Sequence, residues 1–410
     1  MKKSLTDLSK LTPQEKLALI NNLRTQVLPE DDSETMTIIK HEKRSLLSLV
    51  SIGEFPPITS ATLAYLPIRD KNKSLPIKEI FDHLPTLFNI YQFSYGSIGL
   101  IVLPIDENDL FQSKELVNNM LKKALTLCSF IGASHISLAG LLPSITQYGE
   151  EIKKHIPKTT SLSITTGHAT TTATVVITLE DILKNQNRLI QNETLGFLGL
   201  GSIGQSSLEL ILSSLPHPKE IILCDVILLE NKVNEIKNTI IANGFKGKVT
   251  CLFSDQHAPT QFYKSSIIIG ATNQANILDV SKLNPQTIVI DDSIPHCFDA
   301  KKAFERMTNQ KDIICIEAGI IEASHSIQEV RYSPKELIPY HKYLPKIITQ
   351  RKESEITSCI LSSLLTATYT ELPPSTGIPN ISLAKKHLKI LKELNFNAPK
   401  LRLNGTDIPI

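Results

Sequence analysis

The chain has 410 residues, with 43 basic and 41 acidic side chains and a formal charge of +2. That balance excludes the basic excess that nucleic acid or an anionic membrane surface requires. With 41% apolar and 20% charged residues, a sizeable core can form and global disorder is excluded.

At roughly 150 residues per domain the length suggests two or three domains. No apolar run approaches the ~20 residues of a membrane span. The first residues, Met1 to Asp7, lead into a polar stretch, so no signal peptide and a cytoplasmic location are expected. The six cysteines, Cys128, Cys224, Cys251, Cys297, Cys315 and Cys359, form no C-x-x-C pair and are expected as free thiols. The histidines form no H-E-x-x-H and no cluster with cysteine, so no structural metal is expected.

In chain order, residues 1–60 read as a helical extension. Thr12, Pro13 and Glu15 make a capped helix start, and Pro29 to Ser33 reads as a linker before a second helix over 38–51. Residues 1–55 are a candidate docking segment for a protein partner. Residues 61–188 alternate between strand and helix: strands at 97–103, 135–139 and 161–164, and helices at 116–131, 143–155 and 170–183. Residues 189–330 repeat the alternation, with strands at 194–198, 220–225, 248–253, 266–271, 287–291 and 313–317 and helices at 205–215 and 231–243. Residues 331–410 carry helix patterns at 353–370 and 382–394. The fold class expected is α/β: a Rossmann doubly wound parallel sheet, an N-terminal α/β domain, and helical segments at both ends.

Strand 194–198 runs into Gly199-Leu200-Gly201-Ser202-Ile203-Gly204, which opens a helix, and Asp225 ends the next strand 21 residues beyond Gly204. A bare G-x-G-x-x-G is weak evidence, but this strand–turn–helix–strand setting is specific for a dinucleotide. Gly199 suits the tight turn, Gly201 the approach of backbone to pyrophosphate, and Gly204 the close packing of helix on strand. The loop residues Gly199, Gly201, Ser202, Ile203 and Gly204 are therefore candidate phosphate contacts. A carboxylate at Asp225 suits the ribose hydroxyls of NADH and repels the 2′-phosphate of NADPH, so NADH is the favoured cofactor. Ala271, Thr272 and Asn273 end the fourth strand and are candidates for the nicotinamide side.

Several blocks together resemble the cyanobacterial-type long-chain acyl-[acyl-carrier-protein] reductases, from about Gly99 to Phe396. His135 to Ile145 is similar to the family's strand–turn segment. Thr165-Thr166-Gly167 followed by Thr172-Ala173 is similar to its threonine-threonine-glycine block. Gly201-Ser202-Ile203-Gly204 resembles its phosphate loop, and Val289 to Asp292 and Glu317 to Glu322 resemble its last two strands. Ser358-Cys359-Ile360-Leu361 through Tyr369 looks like its C-terminal helix. The chain departs from the family at Asp225-Val226, where the family tends to carry an Arg, at Thr171, where it has a histidine, and in a phosphate loop one residue shorter. The 60-residue extension has no counterpart.

The resemblance implies reduction of an acyl thioester, on acyl-carrier protein or coenzyme A, to an aldehyde. It implies Cys359 as the acyl acceptor. A thiolate is the right nucleophile for a thioester, and it needs a helix N-terminus, a cation or hydrogen-bond donors to form at neutral pH. Arg351 and Lys352 fall about two turns before it on the helix expected over 353–370. His168, expected at the end of a first-domain strand, is the candidate proton or oxyanion donor, with Thr171, Asn273 and Asp292 as weaker ones. Cys297, in a loop, is expected to be accessible, and Cys128, Cys224, Cys251 and Cys315 to be inert. Two other classes share the plan without a cysteine nucleophile: a two-domain amino- or keto-acid dehydrogenase or ornithine-cyclodeaminase-like enzyme, and a non-catalytic NAD-binding interaction protein.

Overall fold

The computed structural model describes residues 58–67, 75–156, 161–331, 335–344, 351–403 and 405–408. The docking segment expected over 1–55, and the helical extension expected over 1–60 as far as residue 57, lie outside these residues. The first elements are β1 (Ser60–Tyr65), β2 (Thr86–Phe93), β3 (Gly96–Leu103), α1 (Glu107–Gln112), α2 (Lys114–Phe130), β4 (His135–Leu138) and β5 (Ser163–Thr165). Then come α3 (His168–Asn185), β6 (Thr194–Leu198), α4 (Ser202–Ser214), β7 (Glu220–Asp225), α5 (Glu230–Ala242) and β8 (Lys248–Phe253). β9 (Ile267–Gly270), β10 (Ile288–Asp291), α6 (Ala300–Asn309), β11 (Ile314–Glu317) and β12 (Ile320–Glu322) follow. The chain then adds β13 (Gln328–Arg331), β14 (Glu355–Thr357), α7 (Ser358–Thr368) and α8 (Ile381–Glu393).

These elements divide into two interleaved units. The first holds residues up to Gly167 and His325–Gly377, and the second His168–Ser324 and Ile378–Ile410. The sequence reading set boundaries at 60, 188 and 330, whereas the described residues divide after Gly167, Ser324 and Gly377. The first described boundary is Gly167/His168, because α3 packs on α4 and α8 of the second unit. The C-terminal segment is shared, with α7 in the first unit and α8 in the second.

The first unit contains a mixed six-stranded sheet in the order β13-β2-β3-β1-β4-β5. β1 lies parallel to β3 and β4, and β4 parallel to β5, while β2 runs antiparallel to β3 and β13. α2 starts where the Ser113 hydroxyl accepts from the Leu116 N–H, and buries Val117, Leu121, Ala124 and Leu125 in the core of this unit. The helix expected over 143–155 is replaced by single turns at Leu142–Ile145 and Glu150–Lys153. Gln147, Tyr148 and Gly149 between them all have positive φ, which no right-handed helix accommodates.

The second unit contains an all-parallel sheet in the order β11-β10-β9-β6-β7-β8. Its central strands read as continuous apolar runs, Ile267-Ile268-Ile269 and Ile288-Val289-Ile290, as strands covered on both faces do. The order reverses between β6 and β9, the point where crevices open in such sheets. α3 is helical despite its β-branched run from Thr170 to Ile177. Burial outweighs propensity there, and the Thr174 and Thr178 hydroxyls bond back to the carbonyls of Thr170 and Thr174. α6, β1, β2 and β13 had no counterpart in the sequence reading. No helix among the described residues is long and apolar enough to cross a membrane.

Candidate functional site

The turn after β6 is built for an anion. Gly199 has φ +89°, and a Cβ there would meet the Ala271 carbonyl oxygen at 2.5 Å. A Cβ on Gly204 would lie 2.0 Å from the Gly199 oxygen, so only glycine lets α4 sit this close to β6. Gly201 is the N-cap of α4 and no side chain caps the helix, which leaves its first N–H groups open to an anion. The Ser202 hydroxyl, on a residue 3% exposed, has no hydrogen-bond partner among the described residues. A buried orphan hydroxyl at an uncapped helix start, under a cradle that a Cβ would fill, fits the pyrophosphate of a dinucleotide. Ile203 is half-buried in the first turn of α4.

Asp225 ends β7, where its carboxylate accepts from the Leu200 N–H at 2.7 Å and from the Val226 N–H at 2.8 Å. It thus braces the loop. The Lys232 ammonium, from α5, returns to the same loop and donates to the Leu200 carbonyl at 2.8 Å. Ala271, Thr272 and Asn273 follow β9, as expected. The Thr272 N–H donates to the Ser293 hydroxyl at 3.0 Å, and the Ser293 N–H to Asp291 at 3.2 Å, so the loops after β9 and β10 are tied together.

The loop after β10 carries a cluster the sequence did not reveal. His296 Nδ1 lies 2.9 Å from Asp291 Oδ2 and Nε2 lies 3.4 Å from Glu317 Oε1, while the ring stacks on Phe298. Asp291 and Glu317 are paired residues at the carboxyl ends of β10 and β11, and Arg402 approaches Glu317 at 3.8 Å. Burial alone would lower the His296 pKa. The hydrogen bonds to Asp291 and Glu317 overcome that and raise it to about 10.

Because the folded value lies above the unfolded one, this interaction is fully present below about pH 6.5 and is lost as pH rises towards 10. His296→Gln is expected to lower stability at pH 7 by about 2 kcal/mol, the worth of hydrogen bonds to charged groups. It should also flatten the loss of stability between pH 7 and pH 9.5. Urea melts at both pH values check this, and a wild-type slope in the variant would refute it. Asp292, a weaker candidate, follows Asp291. Desolvation and then the Asp291 charge hold its carboxyl well above the ordinary carboxylate range.

His168 is not at the end of a first-unit strand. It is the first residue of α3, in the second unit, and 7% exposed. Burial lowers its pKa to about 4, so at neutral pH it is a neutral imidazole and supplies no positive field for a thiolate. Thr171, one turn on, is also buried.

Cys359 is half-buried and occupies the second position of α7. Helix does not run from 353: residues Glu355–Thr357 form β14, and α7 begins at Ser358 with Thr357 as N-cap and no side-chain cap. The thiol therefore sits in the first turn, within the positive end of the helix dipole. Its Sγ donates weakly to the Thr357 hydroxyl at 3.7 Å. Gly167, φ +79°, packs against it: a Cβ on Gly167 would approach Cys359 Cα to 3.0 Å.

Below the helix lies a buried hydroxyl network that sequence patterning did not disclose. Thr62 Oγ1 is 2.8 Å from Ser137 Oγ and donates to the Ile360 carbonyl, and Ser363 Oγ donates to Ser60 Oγ at 3.1 Å. It fixes α7 on β1 and β4. Cys297 is fully buried rather than accessible, and burial raises its thiol far above the ordinary range. Cys128, Cys224 and Cys315 are buried in strands and α2 as expected, and Cys251 is half-buried.

No family model matches the chain, and no curated protein matches it. Among solved structures it is similar to shikimate 5-dehydrogenase from Listeria monocytogenes, solved with shikimate and NAD, at 12% identity over 63% of this chain and 86% of that chain, TM-score 0.32. It is also similar to NAD+-bound 3-phosphoglycerate dehydrogenase from Entamoeba histolytica, at 13% identity over 84% of this chain and 100% of that chain, TM-score 0.27. A third is Δ(1)-pyrroline-2-carboxylate reductase from Thermococcus litoralis, solved with NADH and L-proline, at 12% identity over 30% of this chain and 36% of that chain, TM-score 0.24. All three TM-scores are below 0.5, so the reading of the loop rests on its own geometry.

Proposed function

We propose that the protein is a nicotinamide-dependent oxidoreductase that reduces an acyl thioester, on acyl-carrier protein or coenzyme A, to an aldehyde through an acyl-enzyme on Cys359. The carrying observation is that two blocks of the family resemblance, Thr165-Thr166-Gly167 and Ser358-Cys359, are far apart in sequence yet in van der Waals contact through Gly167 and Cys359.

In this scheme the Cys359 thiolate attacks the acyl carbon, a new C–S bond forms, and the carrier sulfur leaves and takes up a proton. A nicotinamide cofactor, held by the turn Gly199–Gly204, would supply the two electrons as hydride for that carbon. Cys359 sulfur then departs as thiolate and the aldehyde is released. The N-terminus of α7 stabilises the thiolate in both steps. The N-terminus of α4 with Ser202 holds the pyrophosphate, and Asp225 accepts from the ribose hydroxyls. The test is to add a long-chain acyl-carrier-protein or acyl-CoA thioester, first without NADH, to detect a covalent adduct by intact mass, and then with it, to detect aldehyde.

NADH is the cofactor of this reading. In this reading Asp225 meets the ribose, and the next basic residue after it, Lys232, is engaged by the Leu200 carbonyl. Asp225→Ser should lower the ratio of kcat/KM for NADH over NADPH by about tenfold or more, the worth of a charge-assisted hydrogen bond together with a removed repulsion. A wild-type protein with the higher kcat/KM for NADPH would refute the preference.

A second reading, a keto- or amino-acid dehydrogenase, is favoured by the Asp291–His296–Glu317 cluster, a proton-bearing group at the carboxyl edge of the parallel sheet. It predicts turnover of such an acid without any covalent adduct.

A further inference from the structure

Leu200, the buried residue between Gly199 and Gly201, is held by charge at both its backbone groups. Its N–H donates to Asp225 Oδ2 at 2.7 Å, and its carbonyl accepts from Lys232 Nζ at 2.8 Å. A carboxylate and an ammonium therefore meet at the turn that the dinucleotide reading sets against pyrophosphate and ribose. Lys232 is half-buried and comes from the first turn of α5, where the helix dipole disfavours a cation. The next cation on α5, Lys237, lies instead near Cys251 on β8. Between Asp225 and Lys232 the chain holds no basic residue.

An ammonium has three N–H groups, and the Leu200 carbonyl takes one. Among the described residues Lys232 has no further hydrogen-bond or ion-pair partner. The carbonyl orients the ammonium without neutralising it, since it carries no net charge. The Asp225 oxygens accept from the Leu200 and Val226 N–H groups, and each keeps a lone pair for a ribose hydroxyl. The two charges thus act in opposite directions on the substituent at the ribose 2′ position. A hydroxyl donates to the carboxylate. A phosphate, with a charge of about −2 near pH 7, is repelled by the carboxylate and accepts from the ammonium.

We infer that Lys232 is a specificity-determining residue of the dinucleotide site, whose ammonium binds the 2′-phosphate of NADPH and so limits the preference for NADH that Asp225 creates. This rests on the reading of the Gly199–Gly204 turn as the dinucleotide site, and not on the acyl-enzyme chemistry. The wild-type preference becomes a balance of two charges. Lys232 is then also the group that receives NADPH once the carboxylate at 225 is gone.

The experiment measures Kd for NADH and for NADPH by nicotinamide fluorescence in the full chain, at low and at high salt. The variants are Lys232→Gln, Lys232→Arg, Asp225→Ser, and Asp225→Ser combined with Lys232→Gln. Lys232→Gln should weaken NADPH binding by about tenfold, the effect of one charge-assisted hydrogen bond, and leave NADH within about twofold. Lys232→Arg should keep NADPH affinity, because a guanidinium also binds phosphate. Added salt should shrink the NADPH effect, as it screens a partly exposed charge. The NADPH affinity gained in Asp225→Ser should be lost in the double variant, and that comparison decides if NADPH binds the wild type too weakly to titrate. A lysine that only braces the turn predicts an equal loss for both cofactors, and that result overturns the inference. So does unchanged NADPH affinity on removing Lys232. If the wild type binds neither cofactor, the dinucleotide reading itself fails and the inference falls with it.

Discussion

Cys359→Ser is expected to reduce aldehyde formation by about three orders of magnitude or more and to abolish the acyl adduct. Serine has nearly the same shape, so α7 should keep its start at Ser358 and its hydroxyl anchors to β1 and β4. What is lost is chemical. A hydroxyl at the N-terminus of α7 remains protonated at neutral pH, whereas a thiol there gains thiolate character. An oxygen ester formed on the substituted hydroxyl would also be a poorer hydride acceptor and a poorer leaving group than the thioester. Dinucleotide affinity should hardly change, because Gly199, Ser202 and Asp225 belong to the other unit. Intact mass after incubation with an acyl thioester, without NADH, checks the adduct, and NADH fluorescence checks binding. An adduct that persists in the variant would remove Cys359 from the scheme. Cys297 is no substitute acceptor, since it is fully buried and its thiol is held protonated.

Gly204→Ala should cost about a hundredfold or more in dinucleotide affinity, along with about 1–3 kcal/mol of stability from overpacking. The added methyl would fall 2.0 Å from the Gly199 oxygen, which is backbone of the phosphate turn and not a side chain able to swing away. Either α4 moves away from β6 or the turn moves towards Ala271, where a Cβ on Gly199 would already find no room. Both movements displace the uncapped N-terminus of α4 and the Ser202 hydroxyl from the pyrophosphate position. Titration with NADH, beside a thermal melt, separates the two effects. Wild-type affinity in a folded Gly204→Ala would exclude this turn as the dinucleotide site.

The glycine turn and Asp225 were legible in the sequence because their requirement is local. A tight turn, a close helix and a carboxylate one strand later are fixed by backbone sterics within about 30 residues. The apolar runs of β9 and β10 were legible for a similar reason, since a strand covered on both faces has no polar alternation to hide it. The second-unit alternation of strand and helix followed from the same periodicities.

What the tertiary structure decided depends on groups distant along the chain. His296 is an ordinary loop histidine until Asp291 and Glu317 fall in register on neighbouring strands, and that register comes from sheet order. His168 is read at the end of a strand by periodicity, but its burial in the second unit makes it neutral. β13 was invisible because four residues, Gln328–Arg331, become a strand only when β2 offers its edge. The start of α7 was misread by periodicity, since the Glu353 carbonyl accepts from the distant Ile327 N–H and Glu355–Thr357 form β14 before the helix begins. By itself the sequence determined an α/β chain with a dinucleotide turn and a cysteine on a late helix. Only the tertiary structure determined that this cysteine lies in the first turn of that helix, against Gly167, because both facts depend on contacts between segments that no local pattern links.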